Sequence, residues 1–160
     1  MVIRRAWVLL VMLGLGACGF QLRGNAALPF ESVYIEGGQD IVVDLERAIR
    51  PTATKVTTRA QDAQVILQIL GESREKRILS LNSAGRVSEF TLLYRVNFKV
   101  SDKRGRELLS PQQIELRPDI TFNDSEILAK ESEEALLYHD MQTDAVQQII
   151  RRLGAVHLNP

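Results

Sequence analysis

Apolar and polar side chains alternate without interruption between Ser88 and Val100. Every second residue is large and apolar, while the residues between them are mostly charged or polar. The apolar positions are Phe90, Leu92, Tyr94, Val96, Phe98 and Val100. Because successive side chains of an extended strand point to opposite sides of a sheet, this period of two predicts a β-strand with one face in a core and the other in water.

Two flanking segments repeat the alternation. Residues 64–70 carry apolar side chains at every second position, in a strand that can run on to about Leu79. The pattern resumes after Pro111, where the apolar positions are Ile114, Leu116, Ile120 and Phe122. Together with the central segment they supply three long strands, each with one apolar face.

Turn-forming residues separate the three strands. Asn-Ser-Ala-Gly occupies positions 82–85 and Asp-Lys-Arg-Gly occupies positions 102–105. Short turns of this kind join antiparallel neighbours, so the segments predict a meander with one wet face. Shorter strand candidates lie at Val33–Ile35 and, more weakly, at Lys55–Thr58.

Two other segments have helical spacing. Ile41, Leu45, Ala48 and Ile49 recur at intervals of three and four residues. We expect Asp40 to cap this helix and Pro51 to end it. Asn123, Asp124 and Ser125 supply cap residues for a second and longer helix, in which Glu126 suits the positive end of the dipole and Gly154 is a C-cap. Its apolar stripe comprises Tyr138, Met141, Ala145, Ile149 and Leu153.

These elements have one simple packing solution. Two amphipathic helices and a sheet that is apolar on one face bury their apolar surfaces against each other. The predicted fold class is therefore α+β, a two-layer sandwich with two helices packed on one face of a mainly antiparallel sheet of about four strands. A single domain over residues 30–154 contains it, and residues 155–160 form a carboxy-terminal tail.

The amino terminus is predicted to lie outside that domain. Arg4 and Arg5 precede an apolar stretch at residues 6–20, which includes three glycines and is shorter than the ~18 residues of a membrane-spanning helix. Leu15-Gly16-Ala17-Cys18 then resembles the lipobox of bacterial lipoprotein precursors. That resemblance implies cleavage before Cys18, with diacylglycerol on its sulfur and an acyl chain on its new amino terminus. The alternative is a buried cysteine in an ordinary secretory leader.

The chain is accordingly divided into a signal peptide over 1–17, a lipidated tether over 18–29, the domain and the tail. Gly19 follows the lipidated cysteine in place of the aspartate that retains many lipoproteins at the inner membrane, which points to the outer membrane. Several acyl chains suffice for stable anchoring. Loss of residues 1–17 removes two arginines, so 18 basic and 20 acidic side chains remain.

Composition excludes several classes of function. The 20 basic and 20 acidic residues of the full chain balance, which argues against the positive field of a nucleic-acid-binding protein. A single cysteine cannot form an intramolecular disulfide or a four-cysteine zinc site. His139 and His157 lack metal-ligand or catalytic spacing, and we interpret them as a solvated helix residue and a tail residue. We expect no enzyme, no metal and no non-covalent cofactor.

Basic residues gather around the first predicted hairpin. Arg74, Lys76, Arg77 and Arg86 lie within thirteen positions of each other. One interpretation is a charged strand edge that discourages pairing with other chains. The other is an anion site, in which guanidinium groups bind phosphates or carboxylates through paired hydrogen bonds. Phosphorylated glycolipid is the more suitable anion for a chain outside the cytoplasm.

The start of the mature chain, Cys18-Gly19-Phe20-Gln21-Leu22-Arg23-Gly24, resembles that of the LptE family of lipopolysaccharide-assembly lipoproteins. The predicted order of elements is also similar across the mature chain. The resemblance implies a non-enzymatic protein of the Gram-negative outer membrane. It would plug the LptD β-barrel, help that barrel to assemble, and assist lipopolysaccharide on its way to the outer leaflet.

The resemblance also implies sites and a location. Lys130 matches a lysine that the family uses early in the last helix, and at the hairpin Ser83 occupies the family's basic position with Arg86 nearby. The predicted lipopolysaccharide site therefore comprises Lys130, Arg86, Arg77, Lys76 and Arg74. The protein would lie on the periplasmic side and in the barrel lumen. The alternative is an unrelated outer-membrane lipoprotein that binds another anionic envelope component.

Overall fold

The long alternating segment forms the middle of a six-stranded sheet. A computed structural model describes residues 28–123 and 126–158. In chain order the elements are β1 (Ser32–Glu36), α1 (Asp40–Ile49), β2 (Lys55–Val56), a 3₁₀ turn (Ala60–Asp62), β3 (Val65–Leu81), β4 (Val87–Asp102), β5 (Glu107–Leu116), β6 (Asp119–Thr121) and α2 (Ile127–Gly154). The predicted leader, the tether up to residue 27 and Cys18 lie outside the described residues.

The sheet has the order β2-β1-β3-β4-β5, and β6 pairs with β4 beyond the end of β5. β3, β4 and β5 form the predicted antiparallel meander. β1 is parallel to both β2 and β3, because α1 carries the chain back across the sheet between β1 and β2. The α+β fold class is confirmed, and the sheet gains strands because both short candidate segments pair and the last alternating segment divides in two.

Both helices contact each other and pack over the apolar face of the sheet. The predicted inward side chains of β4 from Leu92 to Val100 are completely buried. Opposite them, α1 buries Ile41, Leu45 and Ile49, and α2 buries a stripe that includes the predicted set. Burial of this apolar surface provides the main driving force for the two-layer packing. Leu28 and Val156, near the two ends of the described chain, also join this core.

Proline and bulges shape the long strands. The β3–β4 ladder has three register shifts, at Leu70, at Leu79 and between Ser80 and Leu81. β3 continues past the predicted limit to Leu81. β5 begins at Glu107, before Pro111, and a bulge accommodates this proline, which has no amide proton for the ladder. Pro118 separates β5 from β6, and its carbonyl accepts a hydrogen bond from the Leu92 amide at 2.9 Å.

The helix ends differ in part from the prediction. α1 stops at Ile49 before Pro51, as expected, but Asp40 is its first residue and not its cap, so that prediction is wrong. A Glu72 oxygen from β3 lies 3.5 Å from the Ile41 amide instead. Asp124 and Ser125 lie outside the described residues, and Glu126 directly precedes α2 without a capping side-chain bond. Neither helix in the described ranges is long and apolar enough to cross a membrane.

Candidate functional site

The five basic residues of the predicted anion site do not form one cluster. Alternate side chains of β3 point to opposite faces, so Arg74 and Lys76 lie beneath α2 while Arg77 lies on the outer face of the sheet. Arg86 stands at the tip of the β3–β4 hairpin, and Lys130 lies in the first turn of α2. Only Arg74, Lys76 and Lys130 share the seam between α2 and the sheet.

Arg74 links β3 to both helices. A terminal nitrogen of its guanidinium donates to Gln142 Oε1 at 2.6 Å and lies 3.5 Å from an Asp40 carboxylate oxygen. The guanidinium carbon is 5.9 Å and 5.7 Å from the ring centres of Tyr94 and Tyr138. Because these contacts hold the charge against aromatic faces, Arg74 has a structural role in the seam.

Lys76 is enclosed by aromatic rings and an acid. Its ammonium nitrogen lies 4.3 Å from the centre of the Phe90 ring and 5.8 Å from that of Phe122. These two rings meet edge to face at 5.3 Å. Glu134 of α2 pairs with the ammonium group at 2.6 Å. An external anion at Lys76 would therefore compete with this carboxylate.

Lys130 continues the same seam toward the start of α2. Its ammonium group donates to Thr121 Oγ1 at 3.1 Å and to a Glu133 oxygen at 2.9 Å. Between the helix and β3 lies a surface cavity of about 490 Å³. Its lining comprises Arg74, Lys76, Glu131, Glu134, Ala135 and Tyr138. The seam thus presents cations and carboxylates side by side, which suits a ligand that carries both acceptors and donors.

Two buried tyrosines line the inner part of the seam. Burial raises the pKa of Tyr94, and its hydroxyl donates to Glu72 Oε1 at 2.7 Å, which favours the protonated form further. Burial also raises the pKa of Tyr138, whose hydroxyl donates to the Glu75 carbonyl at 2.8 Å. Both phenols therefore remain protonated hydrogen-bond donors at neutral pH.

The outer face of the sheet carries a ladder of ion pairs across three strands, which we call the outer ladder. Arg77 forms two hydrogen bonds with Glu75, at 2.7 Å and 2.8 Å. Arg95 bridges Glu75 at 3.3 Å and Glu115 at 2.6 Å. The bond from Arg77 lowers the pKa of Glu75, and the bond from Arg95 lowers that of Glu115. Arg77 thus belongs to the outer ladder, which lies on the face opposite the seam.

The hairpin tip has the predicted turn. Gly85 adopts a φ of 73° there, and its amide donates to the Asn82 carbonyl at 2.9 Å. The Asn82 side chain accepts hydrogen bonds from the amides of Ala84 and Arg86, both at 3.0 Å. Ser83 and Arg86 are exposed at this tip. The backbone of Arg86 is therefore fixed by this turn at the tip of the hairpin.

Sequence reasoning missed the residues that organise the seam. Gln142 is buried in α2, accepts from Arg74, and donates to Asp44 of α1 at 2.6 Å. The sequence could have indicated Gln142 by its position next to Met141 on the apolar stripe, since a polar residue beside such a stripe needs buried hydrogen-bond partners. His139 and His157 are exposed, and no group of metal-binding residues occurs within the two described ranges.

The fold and the seam define a small two-layer α+β domain whose accessible chemistry is that of binding. The chain belongs to the LptE family, described as lipopolysaccharide-assembly, whose model matches residues 29–153. An LPS-assembly lipoprotein LptE from Yersinia pestis (strain Pestoides F) is 30% identical over 162 residues, covering 94% of this chain and 77% of that protein. The corresponding protein of Yersinia enterocolitica is 29% identical with the same coverage.

Solved structures agree with this assignment. An uncharacterized lipoprotein B from Nitrosomonas europaea is 50% identical, with a TM-score of 0.76 over 86% of this chain and 91% of that one. The rare lipoprotein B of Shewanella oneidensis is 26% identical, with a TM-score of 0.69 over 78% of this chain and 95% of that one.

Proposed function

We propose that this protein is a non-enzymatic outer-membrane lipoprotein, lipidated at Cys18, that plugs the LptD β-barrel and helps it to assemble. In this role it assists lipopolysaccharide transport and insertion into the outer leaflet. The observation that carries the proposal is the family match over 29–153, which spans the helices and the sheet. The relatives named LPS-assembly lipoproteins support the envelope location.

The surface of the domain is compatible with a place inside a barrel. Barrel interiors of outer-membrane proteins are polar, and the outer ladder gives the outer face of the sheet a group of matched charges. Arg95 and Glu115 in the ladder satisfy each other, so these two side chains can leave bulk water as a pair. A catalytic cleft is not needed for such a role.

The seam is the best candidate for lipopolysaccharide contact. Lys76 and Lys130 lie on the same side of α2, and phosphate groups compete well for ammonium groups that are partly exposed. Phe90 and Phe122 add an apolar surface beside them. Arg77 pairs with Glu75 in the outer ladder, and Arg86 lies at the hairpin tip. The case that these two residues contact the same ligand as the seam lysines is therefore weaker.

Affinity purification from outer membranes tests the proposed function. The full-length chain with a carboxy-terminal tag is expressed in its lipidated form, membranes are solubilised in mild detergent, and LptD is sought in the eluate. We expect LptD to co-purify in near-equal amount, because a plug is a stoichiometric partner. A tagged lipoprotein of unrelated fold serves as the control. Recovery of folded, membrane-bound protein without LptD would favour the alternative, a lipoprotein that binds another anionic envelope component.

A further inference from the structure

We propose that the edge of β3 between Gly71 and Ile78 binds one extended polypeptide segment, which joins the sheet as an additional strand. The segment is assigned to the barrel protein that the proposed function names as partner, and the inference rests on that function to this extent.

β3 has a partner on only one side over this stretch. β1 pairs with β3 from Val65 to Gln68 and then leaves the sheet through Gly37 toward α1. From Gly71 onward β3 pairs with β4 alone among the described strands. In the described part of the chain no strand lies on the other side of these residues.

The pairing pattern identifies which backbone groups face the open side. The Leu92 amide of β4 donates a hydrogen bond to the Pro118 carbonyl, which lies just before β6 on the side of β4 opposite β3. The backbone groups of Leu92 therefore point away from β3. Lys76 is the register partner of Leu92, and its own amide and carbonyl therefore point away from β4. Alternation extends this orientation to every second residue of the segment. The outward set is Glu72, Arg74, Lys76 and Ile78.

The other edges of the described sheet are protected by ordinary means. β2 is two residues long and β6 is three. β5 contains Pro111 at a bulge and stops before Pro118. Short strands, prolines and bulges are the devices that prevent unwanted strand pairing. The β3 edge, by contrast, offers eight consecutive residues between two bulges and contains no proline.

Charged side chains do not guard this edge either. The Arg74 head is held by Gln142, and the Lys76 head is held by Glu134 and the Phe90 ring. Arg77 is held in the outer ladder. Each cation is directed back onto the domain, so none repels a strand that approaches along the edge. This weakens the interpretation of the basic cluster as a charged guard.

The surface beside the edge can accept the side chains of an added strand. A cavity of about 450 Å³ is lined by residues 38–40 and 69–74, and the seam cavity continues from Arg74 along α2. Leu70 and Leu79, the two bulge residues, are each half exposed at opposite ends of the segment. An added strand would place alternate side chains into the first of these cavities and cover these leucines, so the seam cavity along α2 stays open to lipopolysaccharide.

The chemistry of the edge selects polypeptide over lipid. Outward amides donate hydrogen bonds and outward carbonyls accept them, in alternation along the strand. A phosphate headgroup can only accept, so it would leave the carbonyls unpaired, whereas an extended backbone supplies both groups at the matching spacing. Inside a barrel the edge has less access to water, and unpaired backbone groups there are costly.

Hydrogen exchange of the purified complex with LptD tests the assignment directly. Amide hydrogens exchange with solvent deuterium while the complex is intact, and the exchange is then quenched. The complex is dissociated, and NMR measures how much each amide of this chain has exchanged. We expect the amides of the outward set to exchange at least about tenfold more slowly than in the free protein. The amides of Ser73, Glu75 and Arg77, which already face β4, are the internal control and should change much less.

A pair of variants at Ile78 provides the second test. Ile78→Pro removes one outward amide at an exposed position, where an edge strand tolerates proline, and Ile78→Ala removes a similar part of the side chain but keeps the amide. We expect the proline variant to lose at least about tenfold in LptD recovery while the alanine variant retains it. Circular dichroism establishes that both variants are folded.

Each outcome is decisive. Unchanged exchange of the outward set in an intact complex would overturn the strand assignment and leave the proposed function in place. Absence of any complex with the wild-type chain would overturn both. Protection that appears in the free protein and grows with its concentration would assign the edge to a second copy of this chain, which also overturns the proposal.

Discussion

Single residues decide how the two helices are placed on the sheet. Gln142 is the clearest case, because one buried amide group accepts from Arg74 of β3 and donates to Asp44 of α1. A buried amide needs hydrogen-bond partners, and the two that Gln142 has fix the relative positions of three elements. Gly37 acts by its backbone instead, since its φ of 74° lets the chain pass close to Ile69.

Replacement of Gly37 with alanine should destabilise the fold. The added Cβ would lie 2.5 Å from the Ile69 carbonyl oxygen, and the positive φ alone costs about 1–3 kcal/mol for a residue other than glycine. Gly85→Ala is the matched control, because its φ of 73° is similar but its Cβ would meet nothing within 4 Å. Urea unfolding of the purified proteins should give a larger loss for Gly37→Ala. Equal losses would show that the contact with Ile69 relaxes without cost.

The second prediction at this scale concerns the two lysines of the seam. Lys76→Gln combined with Lys130→Gln should weaken lipopolysaccharide binding by at least about tenfold at low salt, because charge-assisted hydrogen bonds to phosphate are lost. The control is Arg77→Gln combined with Lys99→Gln, which removes the same charge from the outer face. Binding of labelled lipopolysaccharide to purified protein measures both. A similar loss in the two double variants would indicate a general effect of charge and no site at the seam.

At the scale of elements, the three long strands are joined by more than their backbone ladder. Arg95 of β4 pairs with Glu75 of β3 and with Glu115 of β5. Beneath this ladder Leu93 is buried although it points to the outer face, because the long charged side chains cover it. The ladder therefore couples packing with electrostatics on a face that the sequence presents simply as polar.

Removal of Arg95 should change the response of the protein to acid. Both carboxyls of the ladder have a pKa below their ordinary value of 4.5 in the folded state. Their contribution to stability is therefore complete above that ordinary value and is lost as the pH falls through the lowered one. Arg95→Gln should move the pKa of Glu115 back toward 4.5 and flatten the dependence of stability on pH in the acid range.

Carboxyl NMR titration and urea unfolding at several acid pH values measure these two effects. Lys99→Gln is the control, because Lys99 lies on the same face of the same strand and has no ion pair with the ladder. An unchanged Glu115 titration in Arg95→Gln would show that the pairing at 2.6 Å does not persist in solution.

At the scale of the whole molecule, the described domain is a binding unit that we propose to be tethered by lipid. Leu28 packs into the core, and nine residues separate it from Cys18 in the sequence. Two faces of the sheet have different roles in our proposal. The helix side presents the seam, and the outer side presents matched charges to the barrel wall.

Loss of the lipid should release the protein from the membrane. Cys18→Ala should give a soluble periplasmic protein, because the remaining domain has no covalent lipid to anchor it. Gln21→Ala, three residues further along, is the control and should remain in the outer-membrane fraction. Fractionation followed by immunoblotting measures the distribution. Membrane retention of Cys18→Ala equal to that of the wild type would contradict lipidation as the anchor.

The sequence alone determined the elements and their buried faces. Periods of two and of three to four are local properties of the backbone, so the strand over Val87–Asp102 and both helices were predictable, and so were the turns at Gly85 and Gly105. The family was also recognisable from the residues around Cys18 and the order of elements. The lipid attachment itself stays a prediction, since Cys18 lies outside the described residues.

Tertiary structure decided which residues meet. The bulge at Leu70 turns Arg74 and Lys76 toward α2, and no local pattern indicates where a register shift will fall. The partnership of Gln142 with Asp44 joins residues 98 positions apart, which only packing of the helices brings together. The open edge of β3 likewise exists because β1 pairs with β3 only as far as Gln68, and because β5 pairs with β4. Local periodicity specifies faces, whereas contacts between distant segments arise only when the whole chain has folded.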